Sequence, residues 1–474
     1  MTDVLHASTV AVPVASRTGW RESKWLALPV LLAGTCLIVL DFFIVNVAMA
    51  SMQRELHAGP TAVEWVVAGY GLTFAVFLLA AGRLGDRIGR RRMFASGVGV
   101  FTAASLLCGI APSASILVEA RFLQGVGGAM ISPSVLALIG TLYAGADRAR
   151  AIGIYATVMG LAAAGGQLVG GVLLQVDAFG LGWRTVFLIN VPVGVATLVV
   201  VRRWVPESRA ETASRIDVVG LALATAALTA LVLPLVDGRA HGWPLWSLVS
   251  LAAAPLLFAD FVLWQRHVAR RGGSALVDPA WFRDRTFRVG MLTQLAFWSG
   301  QASYFLVLAL YLQLGRGLSA LDSGLVFSIL AFAYLVASMR AASLVARLGR
   351  SVVVGGALVL AAGHVATVVA VSSYDGSPPA LVPGLLMVGA GMGLCLAPIT
   401  SLVLANVDPQ RAGAVSGLLS TMQQVGNAVG VAVIGVLFFG AVPQGYAHAF
   451  ELSTLALSVL LVGVAGCARC LPRR

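Results

Sequence analysis

The sequence predicts an all-α integral membrane protein, and three observations support that fold class. Hydrophobic residues make up 59% of the 474 residues and charged residues only 11%, whereas soluble domains carry about 25% charged residues. The apolar residues form fourteen runs, each long enough to cross a bilayer as a helix. Basic residues are concentrated in every second loop between these runs.

The apolar runs define the elements of the prediction. They lack the alternation of period two that a transmembrane β-barrel needs, and only helices and closed barrels span membranes. Each run is therefore predicted to be a helix. The runs are 25–48, 62–81, 93–111, 115–141, 150–174, 184–203, 216–236, 245–265, 288–313, 322–345, 351–372, 380–405, 412–440 and 450–468.

The basic residues predict the orientation. The even-numbered loops hold most of the arginines, whereas the odd-numbered loops hold only Arg54, Arg184, Arg239 and Arg316. Because positive residues favour the cytoplasmic side, we expect a multi-pass protein of the cytoplasmic membrane with both termini inside. The net charge of +12 follows from this distribution, so no nucleic-acid partner is expected.

A short basic loop over 82–94 reads G-R-L-G-D-R-I-G-R-R-R-M-F. It resembles the loop between spans 2 and 3 of the major facilitator superfamily of secondary transporters, whose pattern is G-x-L-x-D-R-x-G-R-R. The resemblance implies two pseudo-symmetric six-helix bundles and a conformational role for this loop. The positions that carry it are Gly82, Leu84, Asp86, Arg87, Gly89, Arg90 and Arg91.

An internal repeat agrees with that architecture. Residues 84–90 (LGDRIGR) resemble 344–350 (LVARLGR), and parallel repeats are common in transporters. Since the superfamily has twelve core spans, the runs 216–236 and 245–265 are predicted to be inserted between the bundles. Fourteen spans resemble the drug:proton antiporter branch, which includes bacterial multidrug and antibiotic exporters. The predicted units are a cytoplasmic tail over 1–24, a bundle over 25–205, the inserted spans with their linkers over 206–287, and a bundle over 288–474.

Two charged residues fall inside apolar runs of the first half. Asp41 lies in L-D-F-F-I-V-N-V-A, which resembles the branch's span-1 motif L-D-x-T-x-V-N-V-A-L-P except for Phe43 and Ala50; Arg121 lies in R-F-L-Q-G, which matches the span-4 motif R-x-x-Q-G. Both residues lie at similar depth, and a charge inside a membrane needs a partner. We predict that they pair and that Asp41 exchanges the coupling proton; a purely structural ion pair is the alternative.

The fifth run contains a glycine pattern. It resembles the span-5 antiporter motif G-x-x-x-x-x-G-P-x-x-G-G, through Gly160, Gly166, Gly170 and Gly171. Gln167 replaces the family proline, so the kink that proline would cause is not expected, and a hydrogen-bond donor and acceptor are added. Small residues also permit close helix packing, so the glycines fit either role.

Polar residues at helical spacing predict a substrate cavity. Four of them recur at intervals of three or four in the run 288–313 and therefore share one face. Amides with aromatic rings suit bulky, partly polar organic molecules, and hydrogen bonding between helices is the alternative. The predicted cavity residues are Asn46, Gln124, Gln167, Gln294, Trp298, Gln301, Tyr304, Gln423 and Asn427.

These patterns predict a transporter rather than an enzyme. The sequence has no P-loop, H-E-x-x-H or G-x-S-x-G motif, so no ATP site, catalytic residue, metal or cofactor is expected. We expect a monomer in the lipid bilayer that exports hydrophobic or amphipathic molecules, such as drugs or antibiotics, in exchange for protons. Lipid export or metabolite import on the same fold, and a non-transporting membrane sensor, are the alternatives.

Asp86 is expected to act on the conformational balance. The helix beginning near 412–416 should present its N-terminus to this carboxylate, where the partial positive charge of a helix stabilises an anion. Such a contact can form only when the cytoplasmic side is closed.

Overall fold

The computed structural model describes residues 20–209, 217–273, 275–374, 376–404 and 412–471, which form helices and short connections with no strand among them. The helices are α1 (Trp20–Glu55), α2 (Pro60–Ile88), α3 (Arg90–Gly109), α4 (Ala114–Leu142), α5 (Gly145–Val176), α6 (Thr185–Leu188), α7 (Asn190–Trp204), α8 (Val218–Ala240), α9 (Leu245–Arg270), α10 (Arg285–Leu310), α11 (Ala320–Leu348), α12 (Ser351–Tyr374), α13 (Pro378–Leu404), α14 (Ala412–Ala441) and α15 (Tyr446–Ala468).

The helices confirm the predicted class of all-α membrane protein. Thirteen described segments are long and apolar enough to cross a membrane, with α6 and α7 forming one of them. The two arms of α5 meet at 41° and give a fourteenth span if they are counted as one.

The two halves of the chain repeat one packing pattern. In the first half, α3 and α2 pack on α4, α1 packs on α5, and α3 packs on α7. In the second half, α12 and α11 pack on α13, α10 packs on α14, and α12 packs on α15. The bundles meet where α5 contacts α11 and where α2 contacts α14, and the internal repeat relates these two interfaces.

The repeat extends to the backbone of two turns. Gly89 joins α2 to α3 with a φ of 114°, and Gly349 follows α11 with a φ of 54°. Glycine adopts positive φ without the steric penalty of a side chain. A Cβ at position 89 would also lie 2.7 Å from the carboxyl carbon of Glu207, so a side chain here would displace that carboxyl group.

The inserted helices do not stand apart from the bundles. The two helices α8 and α9 pack on each other, and α8 also contacts α2 of the first bundle and α14 of the second. One inserted helix therefore lies across the junction between the bundles.

We call the end of the bundles that holds residues 83–92 the arginine-rich end and the other the opposite end. Toward the opposite end the bundles are in direct contact. The rings of Phe43 in α1 and Phe305 in α10 are 5.1 Å apart, and a Cβ on Gly171 would lie 2.8 Å from the Cα of Leu321 in α11. The structure is therefore closed at the opposite end.

Several helices extend beyond the apolar runs that predicted them. Helix α1 begins at Trp20, inside the predicted tail, and α10 begins at Arg285 rather than at 288. A helix satisfies its own backbone hydrogen bonds, so it need not end where the apolar residues end. The rest of the predicted tail, residues 1–19, lies outside the described residues.

Candidate functional site

A buried ion pair lies inside the first bundle, where the sequence predicts one. Arg121 Nη1 in α4 donates to Asp41 Oδ2 in α1 at 2.5 Å, and the two side chains are 1% and 0% exposed. Asp41 lies deeper in its helix than its apolar run indicated, because α1 continues to Glu55. The predicted pairing is thus present, and its role in proton exchange stays a prediction.

Further side chains satisfy the carboxylate completely. Asp41 Oδ1 accepts from Gln124 Nε2 at 2.8 Å and from Asn190 Nδ2 at 3.0 Å. Both amides also donate to the hydroxyl of Ser105, at 2.9 and 3.4 Å. A buried ion pair is tolerated when its remaining lone pairs and protons find partners, and this network meets that condition.

The guanidinium of Arg121 is held on its other sides. Its Nε donates to the carbonyl oxygen of Val66 in α2 at 2.8 Å, and its Nη1 donates to Gln124 Oε1 at 2.6 Å. The ring of Tyr70 lies 4.3 Å from the guanidinium carbon, a distance at which the ring face attracts a cation. The planar fork of arginine, not only its charge, is therefore used here.

The sequence did not identify Ser105 and Asn190 as members of this network. Each is a small polar residue in a mostly apolar helix. Periodicity shows that such a residue shares a face with others but does not show which helix that face meets.

A cavity lies between the bundles, next to this network. Its wall includes the rings of Phe42, Phe43, Tyr70, Trp298, Phe305 and Phe327. The carboxamides of Gln167, Gln423, Gln424 and Asn427 also line it. None of the described lining residues carries a charge. Tyr70 both lines the cavity and covers Arg121, so this side chain links the cavity to the ion pair.

Four of the nine predicted cavity residues line the cavity: Gln167, Trp298, Gln423 and Asn427. The described lining does not include the other five, which corrects the prediction for this structure. Gln124 belongs to the Asp41 network, and the Asn46 amide donates to the carbonyls of Phe42 and Phe43 in its own helix, at 3.2 Å each.

The predicted polar face of α10 is divided in the structure. Trp298 reaches the cavity, whereas Gln294, Gln301 and Tyr304 are buried away from its described lining. The ring of Tyr304 stacks on His364 in α12, with ring centres 4.3 Å apart. Helix α10 is buried on nearly every side, so residues on its polar stripe meet different neighbours at different heights.

The glycines of α5 allow close helix contact. A Cβ on Gly166 would lie 2.9 Å from Phe43 Cβ, and one on Gly170 would lie 2.8 Å from Ile44 Cγ1, both in α1. Gly171 faces α11 in the same way, whereas a Cβ on Gly160 would lie 3.9 Å from Tyr334. The packing role of the glycines is therefore visible, and Gln167 beside Gly166 lines the cavity.

A second buried ion pair lies at the opposite end, and the sequence did not predict it. Glu64 in α2 is 0% exposed, and its Oε1 accepts from Arg239 Nη2 in α8 at 3.0 Å. Glu64 Oε2 and Arg239 Nε have no partner among the described residues. Arg239 follows the apolar run 216–236, so the sequence predicted it to be a loop residue.

The arginine-rich loop is tied to the chain that follows α7. Glu207 Oε1 accepts from the Arg91 backbone N–H at 3.0 Å, and its Oε2 lies 3.7 Å from Nε atoms of both Arg91 and Arg92. Asp86 pairs with Arg90 of its own loop at 2.8 Å. The predicted contact of Asp86 with residues 412–416 stays a prediction. The structure is closed at the opposite end, and the adjoining residues 405–411 lie outside the described ones.

Comparison with known proteins agrees with this architecture. The model of the Major Facilitator Superfamily matches residues 31–431. The chain is 40% identical over 420 residues to a probable actinorhodin transporter of Streptomyces coelicolor, covering 88% of this chain and 73% of that protein. It is 34% identical over 447 residues to the tetracenomycin C resistance and export protein of Streptomyces glaucescens, with coverages of 92% and 80%. Identity to the multidrug resistance protein Stp of Mycobacterium tuberculosis is 35% over 405 residues, with coverages of 85% and 73%.

Solved structures show the same fold at low sequence identity. A POT family transporter superposes with a TM-score of 0.68 at 17% identity, covering 92% of this chain and 94% of that one. A D-xylose-proton symporter gives a TM-score of 0.66 at 15% identity, covering 94% and 97%. Together with the family match and the sequence relatives, the paired helix bundles place this chain in the major facilitator superfamily, as a multi-pass membrane transport protein and not an enzyme.

Proposed function

We propose that this protein exports hydrophobic small molecules from the cytoplasm in exchange for protons. The observation that carries the proposal is the buried Asp41–Arg121 pair, whose arginine lies under Tyr70, a residue that also lines an uncharged cavity between the bundles. The relatives support the direction of transport, since one is named a resistance and export protein and another a multidrug resistance protein.

The geometry suggests how a proton and a cargo molecule could influence each other. Protonation of Asp41 would remove the negative charge that holds Arg121 Nη1 at 2.5 Å. Arg121 would then relax toward its remaining partners and move relative to the Tyr70 ring that covers it. Because Tyr70 is part of the cavity wall, a change at the ion pair alters the cavity, and a cargo molecule against Tyr70 acts on the pair. By linkage, protonation changes the free energy of cargo binding by the same amount as cargo binding changes the free energy of protonation.

The remaining features follow from the positive residues and the alternating-access fold. We place the arginine-rich end on the cytoplasmic side of the inner membrane. The protein would work as a monomer, with the proton gradient as its energy source and no cofactor. The two bundles would rock about the cavity, so that it opens to one side at a time.

The test compares Asp41→Asn with a matched control. Uptake of a fluorescent aromatic dye into energised inverted vesicles should fall to background in Asp41→Asn, because Asn keeps the size and cannot exchange a proton. Asp260→Asn changes an exposed acid of α9 and should transport like the wild type. Proton-driven export would be contradicted if Asp41→Asn took up the dye at the wild-type rate. It would also be contradicted if the wild-type protein still took up the dye after an uncoupler had dissipated the proton gradient.

A further inference from the structure

We propose that the cavity selects neutral, planar aromatic molecules that carry hydrogen-bonding groups on opposite edges, and that Gln167 is a specificity-determining residue for them. This inference rests on the proposed function, because it names the cargo of the same cavity.

The polar groups of the cavity argue for a neutral ligand. The described lining contains four carboxamides and no charged side chain. The nearest acid, Asp41, is 0% exposed, and its oxygens already accept from Arg121, Gln124 and Asn190. A charged ligand would lose its water without gaining an opposite charge, which is unfavourable in a low-dielectric site.

Unpaired buried atoms show where the ligand would be held. Gln167 is 1% exposed, and neither its Nε2 nor its Oε1 has a partner among the described residues. Trp298 Nε1 and Asn427 Oδ1 are also without described partners, although these side chains are only 8% and 3% exposed. Buried polar groups are costly unless they form hydrogen bonds, so these atoms offer two donors and two acceptors to a bound molecule.

These atoms come from both bundles. Gln167 lies in α5 of the first bundle, whereas Trp298 and Asn427 lie in α10 and α14 of the second. A molecule with carbonyl or hydroxyl groups on opposite edges could therefore bind both bundles at once. The Asn427 amide nitrogen donates to Gln424 Oε1 at 3.0 Å, so the Asn427 amide oxygen is left to accept a hydrogen bond from a bound molecule.

The rings favour a flat molecule. Phe305 and Phe327 are nearly parallel, at 9°, with ring centres 5.4 Å apart, and Phe43 meets Phe305 edge-on at 5.1 Å and 70°. Aromatic pairs prefer offset-stacked and edge-to-face arrangements. A planar polycyclic molecule can form both kinds of contact with these rings. Ring faces also attract cations, so the charge of the ligand has to be tested directly.

The experiment measures binding to the purified full-length protein in detergent. The probes are neutral 1,4-dihydroxyanthraquinone, anionic anthraquinone-2-sulfonate and cationic ethidium. The wild type should bind the neutral probe at least about tenfold more tightly than either charged probe. Gln167→Leu should weaken binding of the neutral probe by about tenfold, because two hydrogen bonds are lost. Gln167→Glu should instead favour ethidium.

Gln53→Leu is the matched control, since Gln53 also has a carbonyl oxygen without a described partner but lies outside the described cavity lining. It should leave all three affinities unchanged. Trp298→Phe keeps a ring and removes one donor, so it tests the second bundle if a Gln167 variant does not fold. Equal or tighter binding of ethidium by the wild type, or unchanged binding of the neutral probe by Gln167→Leu, would overturn the proposal.

Transport in liposomes separates this inference from the proposed function. Exchange of a neutral molecule for protons moves net charge at any stoichiometry, so a membrane potential alone should drive it. If the binding series is as expected but neither a potential nor a pH gradient drives transport, the proposed function fails and the cargo class stands. If ethidium is both the tighter ligand and the proton-coupled cargo, the cargo class fails and the proposed function stands.

A separate observation assigns a role to the inserted helix. We infer that α8 acts as a clamp, through Arg239, that holds the opposite end closed. Arg239 pairs with Glu64 of the first bundle at 3.0 Å, and its guanidinium carbon lies 5.2 Å from the ring centre of Phe439 in the second bundle. One turn of α8 therefore contacts both bundles at the end where they meet.

The second bundle seals this contact. A Cβ on Gly435 in α14 would lie 2.8 Å from the Glu64 carboxyl carbon, so the glycine lets α14 cover the carboxylate. Nearby, Trp65 Nε1 donates to Asp237 Oδ1 at 3.0 Å, which fixes α8 against α2. Opening of the opposite end has to move α14 away from α2, and it would separate Arg239 from Phe439. The clamp thus favours the closed state by the difference in contact energy between the states.

Distances between spin labels at positions 61 and 440, in a chain without its native cysteines, would test the clamp. Arg239→Gln should raise the population of long distances about fivefold, and Arg239→Lys, which keeps the charge, should raise it less. Arg184→Gln is the matched control, because Arg184 pairs with Glu55 at 2.9 Å within the first bundle. The clamp is refuted if Arg239→Gln leaves the distances unchanged, or if Arg184→Gln shifts them equally.

Discussion

Two buried acid–arginine pairs in the described part of the chain differ in how completely they are bonded. Asp41 and Arg121 lie within one bundle, and each oxygen of the acid accepts at least one hydrogen bond. Glu64 and Arg239 join the first bundle to an inserted helix, under cover of the second, and each keeps one unpaired polar atom among the described residues.

The difference in bonding between the two pairs corresponds to a difference in how much their surroundings move during transport. A fully bonded pair inside a rigid bundle can stay intact while the bundles rock, so it responds to protonation and to contacts on Tyr70 rather than to the rocking itself. A partly bonded pair that lies against a moving bundle is weaker, and its contacts with Phe439 and Gly435 of that bundle can be remade in each cycle. Arg239 is also 19% exposed, against 1% for Arg121, so water can replace part of its pairing.

The largest expected effect comes from removing each arginine. Arg121→Met should lower the free energy of unfolding by about 3–5 kcal/mol, because it leaves an uncompensated buried carboxylate. Arg239→Met should cost clearly less, since Glu64 becomes hydrated wherever α14 moves away. Denaturant unfolding in detergent would compare the two. If both variants lost the same free energy of unfolding, the difference in bonding between the two pairs would not affect stability.

A milder change tests geometry without removing charge. Arg121→Lys should slow transport by on the order of tenfold, because an ammonium cannot bond Asp41, Gln124 and the Val66 carbonyl in one plane and loses a hydrogen bond or more. Arg239→Lys should remain close to the wild-type rate, since Arg239 donates to one oxygen only. Normal transport by Arg121→Lys would mean that this site needs only a positive charge.

Glu64→Gln should have a smaller effect. The amide keeps an acceptor for Arg239, and the unpaired charge that remains is partly exposed, so the free energy of unfolding should change by about 1 kcal/mol or less. The label distances at the opposite end should still lengthen in part. A loss as large as that of Arg121→Met would show that Glu64 is a structural core residue.

The smallest change in stability is expected at Asp86–Arg90, a pair within the arginine-rich loop. The Asp86 side chain is 37% exposed, and Asp86→Asn should change the free energy of unfolding by no more than about 0.5 kcal/mol. If Asp86 meets α14 when the arginine-rich end closes, the substitution should shift spin-label distances between α2 and α14 at that end. Reduced transport with unaltered distances would contradict this contact.

Much of the fold and one part of the site could be predicted from the sequence. Apolar runs must be helices in a membrane because the backbone has no other partner there. The repeated turns at Gly89 and Gly349 and the charged residues Asp41 and Arg121 were also identifiable. An isolated charge in an apolar run is costly enough to require a partner, and each had one obvious candidate.

The tertiary structure alone decided which face each neutral polar residue meets. Gln124 bonds Asp41, Tyr304 stacks on His364, and Gln167 reaches the cavity, although all three were predicted to line the substrate cavity. Only the structure shows that Arg239, near the end of a span, lies against Glu64 and Phe439. An amide or a terminal charge can be satisfied by several neighbours at similar free energy, so its partner depends on how the helices pack and not on its own helix.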